Sequence, residues 1–354
     1  MSPKPRPSLL PLLLLAPLLA PAQTALPPLP EPMDVPAAGP SASRGAYAPQ
    51  PMLPGGVVVP LYPPDSPELN KARMGEAEKY TMSDAVPGRI SNVVNVHNPS
   101  IEFHPVEKGR NTGAVVILVP GGGHRTLVMA GGGSDFVPYF HKYGVNTVIL
   151  RYRLRADGYV AEVDAVHDAL QAIRLVRAYA KQLNFDPAKI GIMGFSAGAE
   201  LSAPATVEFA EFDKKNSGSG DPLAGVSSRP DFAGIIYPGP TPFAPNHKAP
   251  ATIPLDVPPS FIATAGSGDK VHAVWAMEYF GAMLSRSVPN IEMHIYGAGV
   301  HGGGLSDRQG IPFGTWEDRF IDWFRDLGFL EAPGVQTKAA RDVAEYVREG
   351  GKSK

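Results

Sequence analysis

Between residues 89 and 330 the chain alternates unbroken aliphatic runs with longer stretches whose apolar side chains return every three or four positions. Val115-Val116-Ile117-Leu118-Val119 and Thr147-Val148-Ile149-Leu150 spare almost no position for water, as in parallel strands covered on both faces. The pattern predicts strands at 90–96, 100–104, 114–119, 146–152, 189–193, 232–237, 260–265 and 291–296. Across 161–182, the residues Val163, Val166, Ala169, Leu170, Ile173, Val176, Arg177 and Ala180 share one helical face, and the opposite face is charged. Further helices are predicted at 135–142, 197–208, 271–285 and 315–327. Strands without helices followed by repeated β-α units describe an α/β protein. Its central sheet should be mostly parallel, with an antiparallel beginning and helices on both faces, in one folded domain over 87–330.

The ends follow other rules. Residues 1–8 carry Lys4 and Arg6 and no acid, 9–19 are almost wholly apolar, and Ala20-Pro21-Ala22 precedes Gln23. That is the layout of a signal peptide, 1–22, cleaved after Ala22. The apolar run is shorter than the ~20 residues of a membrane span, and Pro11, Pro17 and Pro21 interrupt it. The expected product is secreted or periplasmic, with no membrane association after cleavage. From Pro21 to Pro67 lie 14 of the 39 prolines, so residues 23–67 are expected to form an extended linker that buries little, with Tyr47, Val57, Val58, Val59 and Tyr62 able to lie on the domain surface. Residues 331–354 read as a tail with a short helix near 339–348.

Composition narrows the chemistry. With 32 basic and 34 acidic side chains in 354 residues, the formal net charge is −2, which offers no cationic field to a nucleic acid. There are no cysteines, hence no disulfide, thiolate nucleophile or cysteine-ligated metal. Neither a Walker loop nor H-E-x-x-H occurs, and the scattered histidines show no ligand spacing, so neither metal nor cofactor is expected.

The sharpest motif is Gly194-Phe195-Ser196-Ala197-Gly198, between a predicted strand and a predicted helix. A tight turn there needs small neighbours, lifts Ser196 above the sheet as a nucleophile, and aims the helix N–H groups at developing negative charge. A serine nucleophile needs a base downstream. Four histidines follow: His294 falls inside a strand, His272 opens a helix and His247 sits in a proline-rich loop. His301 lies five residues beyond the last strand in Gly299-Val300-His301-Gly302-Gly303-Gly304, flexible enough to reach back over the sheet. The acid belongs after the preceding strand, where Ala265-Gly266-Ser267-Gly268-Asp269 ends in Asp269, which can hold the His301 tautomer or cap the next helix. Asp256 and Asp307 are the alternatives. Pro120-Gly121-Gly122-Gly123-His124 follows another strand, and N–H groups of Gly122 and Gly123 with that of Ala197 would form an oxyanion hole. Thr126 stands where the third glycine of a dinucleotide loop belongs. His124 could cap this loop, contact substrate or make a structural hydrogen bond.

Taken together, His97-Asn98-Pro99-Ser100, Pro120-Gly121-Gly122-Gly123-His124, Arg151-Tyr152-Arg153-Leu154, the Ser196 turn, Ser228-Arg229-Pro230-Asp231 before Tyr237-Pro238-Gly239, and His301-Gly302 resemble the α/β-hydrolase esterases related to bacterial acetyl xylan and feruloyl esterases. The resemblance spans roughly 57–330. It implies the α/β-hydrolase fold and a secreted carbohydrate esterase with Ser196, Asp269 and His301 as catalytic residues. Small acyl groups, acetyl or feruloyl, would be released from plant polysaccharide or oligosaccharide. A general carboxylesterase, another ester or amide hydrolase, and a catalytically dead binding protein are the alternatives on this scaffold. Many relatives carry Gly-His where this chain has Ala199-Glu200, and an aromatic residue where it has Gly303. Both positions bear on the acyl pocket, which makes Glu200 a candidate substrate contact with His124.

Overall fold

The computed structural model describes residues 26–32, 49–218, 221–244, 252–302, 305 and 312–351. The expected signal peptide, Tyr47, His247, Gly303 and Asp307 lie outside them.

Eleven strands are described: β1 (Val57–Pro60), β2 (Lys79–Met82), β3 (Ile90–Val94), β4 (Ser100–His104), β5 (Val115–Val119), β6 (Leu127–Val128), β7 (Asn146–Arg151), β8 (Ile190–Phe195), β9 (Ala233–Ile236), β10 (Ser260–Ala265) and β11 (Glu292–Tyr296). Eight form one sheet in the order β1-β4-β7-β5-β8-β9-β10-β11. The β1–β4 and β4–β7 pairs are antiparallel and every pair from β7 to β11 is parallel. Around the sheet run α1 (Phe136–Lys142), α2 (Val166–Leu183), α3 (Ala199–Ala205), α4 (Phe209–Lys215), α5 (Lys270–Ser285), α6 (Trp316–Asp326) and α7 (Lys338–Arg348). Every residue of β5, β7, β8, β9 and β10 is buried, as their unbroken apolar runs require. A second, antiparallel sheet, β2-β3-β6, lies apart from the main one. No helix of the described residues is long and apolar enough to cross a membrane.

Two boundaries differ from those expected. The linker assigned to 23–67 packs on the folded body in both of its described stretches: Leu26 and Leu29 rest against the core and Tyr179 donates to the Pro27 carbonyl (3.0 Å), while β1 extends the main sheet and Met52, Val59, Leu61 and Tyr62 join its core. The cause is charge. Glu102, fully buried on β4, accepts hydrogen bonds from Met52 N (2.6 Å), Leu53 N (3.1 Å) and His104 Nε2 (2.7 Å). Proline keeps this segment from forming a helix but leaves its N–H groups free to bind a carboxylate. At the other end, buried Lys189 donates to the carbonyls of Glu331 (2.8 Å) and Ala332 (3.0 Å), and α7 buries Ala339, Val343 and Tyr346. Residues 331–351 therefore pack on the domain. The polar stretch after α3 begins as α4, with Phe209 and Phe212 buried.

The Arg151-Tyr152-Arg153 run has a structural meaning. Arg151 donates to Ser100 Oγ (2.9 Å) and to the Gln50 carbonyl, fastening the N-terminal segment. Arg153 forms a two-pronged pair with buried Asp168 on α2 (2.7 and 3.1 Å). Tyr152, between them, points the other way and donates to Pro120 O (2.8 Å) at the end of β5.

Candidate active site

The site is built over the carboxyl ends of β5, β8 and β10. At the end of β8 the chain reverses into α3 through Ser196, whose φ of +54° is left-handed. For a residue with a Cβ this costs about 1–3 kcal/mol and persists only where its surroundings enforce it. Here the glycines enforce it. A Cβ on Gly194 would sit 2.2 Å from the Gly198 carbonyl, and one on Gly198 would sit 2.0 Å from that of Val119. The turn is thus pressed against the end of β5, and Ser196 is carried to its crest.

His301 reaches that crest from beyond β11. Its Nε2 lies 2.8 Å from Ser196 Oγ, and its Nδ1 lies 2.8 Å from Asp269 Oδ2. Asp269 sits at the head of α5, yet its side chain makes no capping bond to the helix. Both oxygens face histidines, because Oδ1 lies 2.5 Å from Nδ1 of His272. An ionised carboxylate only accepts, so both Nδ1 atoms carry protons, and His301 Nε2 is left to accept the Ser196 hydroxyl. The His272 and His301 rings stack with centroids 3.7 Å apart and planes at 23°. Burial pushes the His272 pKa down, Asp269 opposes that shift, and the neighbouring His301 adds to it.

The glycine loop after β5 forms the facing wall. Gly122 and Gly123 have φ of +130° and +62°, and a Cβ on Gly122 would lie 2.0 Å from the Thr126 carbonyl. Val128 N to Gly121 O (2.9 Å) and Arg125 N to Gly122 O (3.1 Å) hold the loop's shape. A pocket of about 590 Å³ opens between this wall and Ser196, bounded also by Phe195, Tyr237, Trp275 and His301. Ala197 is buried directly behind Ser196.

The remaining candidates separate cleanly. Glu200 lines the pocket, whereas His124 does not: it is buried beneath the glycine loop and its Nε2 bonds Glu200 Oε2 at 2.9 Å. Of the three roles open to His124, the structure shows the hydrogen bond, made from a left-handed backbone (φ +56°). His294 pairs with Glu292 on β11 (2.7 Å), and Asp256 lies beside Arg229 (3.8 Å), so neither joins the cluster. The histidines were expected to show no metal-ligand spacing. In space, one ligand atom each from Asp269, His272 and His301 lie within 4.8 Å of one another. Asp269-x-x-His272 at a helix start was the available signal; the reach of His301 to Asp269 was expected, whereas its stacking on His272, 29 residues back in the chain, was not legible in the sequence.

Against solved structures, the chain matches the acetyl ester-xyloside bifunctional hydrolase from Caldicellulosiruptor lactoaceticus, with TM-score 0.61 and 25% identity over 77% of this chain and 97% of that one. It has the α/β-hydrolase fold and resembles the acetyl ester hydrolases. A Thermogutta terrifontis esterase shares the fold of this chain at TM-score 0.52 and 22% identity, over 68% of this chain and 91% of that one. The BD-FAE family model matches residues 102–227. Among curated relatives, an acetylxylan esterase of Xylanibacter ruminicola is 28% identical over 279 residues, covering 71% of this chain and 50% of the relative. An endo-1,4-beta-xylanase B of Butyrivibrio fibrisolvens is 29% identical over 124 residues, covering 35% of this chain and 19% of its own. The chain thus spans half the length of the first and about a fifth of the second.

Proposed function

We propose that this chain is a serine esterase that removes small acyl groups, acetyl foremost, from xylan or its oligosaccharides. The observation that carries the reading is the continuous chain Ser196 Oγ, His301, Asp269, with both links at 2.8 Å, opening onto a pocket walled by glycine backbone. The acyl group and the polysaccharide are inferred from what the acetylxylan esterase and the acetyl ester-xyloside hydrolase are named for.

In this reading Ser196 Oγ attacks the ester carbonyl carbon while His301 Nε2 takes its proton. Asp269 fixes the Nδ1–H tautomer and stabilises the imidazolium. The oxyanion is met by N–H groups of Gly122, Gly123 and Ala197, aimed before the charge appears. The sugar hydroxyl departs with the proton from His301. Water, deprotonated by the same nitrogen, then cleaves the acyl-enzyme to acetate and regenerates Ser196. Each step is supplied by the triad and backbone donors.

The test compares acetate release from acetylated xylan with hydrolysis of p-nitrophenyl acetate. Turnover of both supports the reading; turnover of the small ester alone makes the protein a general carboxylesterase, and turnover of neither makes it a binding protein. We place its action outside the cytoplasm, from the amino-terminal pattern of residues 1–22. Recovery of the uncleaved chain in the cytoplasmic fraction would overturn that placement.

A further inference from the structure

Two imidazoles converge on one carboxylate beside the nucleophile, whereas the proposed acyl transfer uses only one of them. We infer that Asp269, His272 and His301 form an inhibitory site for a borderline divalent cation, zinc or cobalt, whose binding reversibly removes the base of the reaction. The inference rests on the reading of His301 as that base.

The geometry supplies the donors. Both Nδ1 atoms already lie 2.5 and 2.8 Å from separate oxygens of Asp269, and the stacked rings present them on the same side. Zinc takes imidazole nitrogen and carboxylate oxygen at about 2.0–2.2 Å in a tetrahedral arrangement, which places its ligands ~3.3 Å apart. The ligand atoms here fall within 4.8 Å of one another, so the widest separation must close while an Nδ1–oxygen pair now at 2.5 or 2.8 Å opens to admit the ion. Two of the three ligands are held by the start of α5, Asp269 and His272 being three residues apart there. His301, on the loop after β11 and about a third exposed, supplies the movement. Three protein ligands leave a fourth position to water.

The consequence follows from proton placement. A neutral imidazole carries one proton. When the ion takes the Nδ1 lone pair of His301, that proton moves through solvent to Nε2, which then donates to Ser196 Oγ and can no longer accept from it. The His272 proton relocates in the same way, so nothing is oxidised and no net proton is released. The ion need not touch Ser196 to stop the reaction.

The experiment uses Ser196→Ala protein without a histidine tag, so that binding is read without turnover. Titration with cobalt, followed by its visible absorption, and with zinc, followed by calorimetry, should give one ion per chain at micromolar concentration. His272→Gln and, separately, His301→Gln in that background should each weaken binding at least tenfold. In the Ser196 enzyme, micromolar zinc should inhibit p-nitrophenyl acetate hydrolysis and a chelator should restore it, with His272→Gln needing at least tenfold more zinc to halve its own rate. Absence of cobalt binding, or unchanged binding in both variants, would overturn the site; binding at full hydrolytic rate would overturn the switch. Binding as expected in a protein inert toward every ester would leave the site standing and remove the esterase reading instead.

Discussion

Glu200 accepts a hydrogen bond from His124 Nε2 at 2.9 Å, joining the first turn after the nucleophile to the underside of the glycine loop. The contact fixes two walls of one pocket relative to each other. A hydrogen bond to a charged group contributes about 1.5–3 kcal/mol, and the buried ring also fills space. His124→Ala should therefore lower stability by about 2 kcal/mol and kcat/KM by roughly tenfold, since an oxyanion donor out of place by an ångström is a poor one. Glu200→Gln keeps an acceptor and should do neither. Urea denaturation with steady-state kinetics checks both; a fully stable and active His124→Ala would show that the bond organises nothing.

Ser196→Ala should reduce turnover by ~10⁴-fold or more without unfolding the chain, because nucleophile and base act as a unit. His301→Ala should cost as much and Asp269→Asn somewhat less. A covalent phosphonate adduct, located by peptide mass spectrometry, should fall on Ser196. An adduct on any other serine would contradict the assignment.

A chain starting at Val57 should be less stable than one starting at Pro49. It lacks Met52 N and Leu53 N, which donate to the fully buried Glu102. Two hydrogen bonds to a buried charge imply a loss of about 3–6 kcal/mol. Equal urea midpoints for the two truncations would restore the view that this proline-rich arm is detachable.

Stability should fall as pH is lowered from about 7 to 5. His97 and His141 are both held below the usual 6.5, chiefly because burial penalises the charged ring. Arg73 adds to the shift at His97, while Glu76 and Asp157 only partly oppose it. A depressed histidine binds fewer protons folded than unfolded, so acid below the unfolded pKa favours unfolding. Melting temperature against pH should show this slope, and His141→Gln should flatten it. A flat wild-type profile across that window would refute the assignment.

Replacing residues 214–220 with a short Gly-Ser linker should change rates on polymer and small ester alike, leaving their ratio constant. The flanking segments are tied to α2 and to each other: Arg174 bonds Asp221 (2.8 Å) and the Leu223 carbonyl (2.5 Å), and Asp213 accepts from Ser228 N (2.9 Å). None of the described residues of 211–229 lines the pocket at Ser196. A selective loss on polymer would instead mean that this loop holds the sugar chain.

The sequence by itself determined the central sheet and the nucleophile turn, because both are written in local chemistry. Runs such as Val115 to Val119 are insoluble in any arrangement except one covered on both faces, and Gly194-x-Ser196-x-Gly198 between strand and helix permits few backbone paths. The glycine loop was legible for the same reason. Only the tertiary structure decided what depends on partners distant in the chain. Val57–Pro60 and Lys79–Met82 are four-residue segments, too short for a period, that become strands where neighbouring strands lend them hydrogen bonds. The two arginines flanking Tyr152 were visible as a motif but not as clamps on Gln50 and Asp168. His124 and Glu200 stood as separate candidates in the sequence, and only the fold joins them by a hydrogen bond. His272, which merely opens a helix in sequence, comes to share Asp269 with His301 because α5 starts where the loop after β11 returns, and spacing along a chain carries no record of such a meeting.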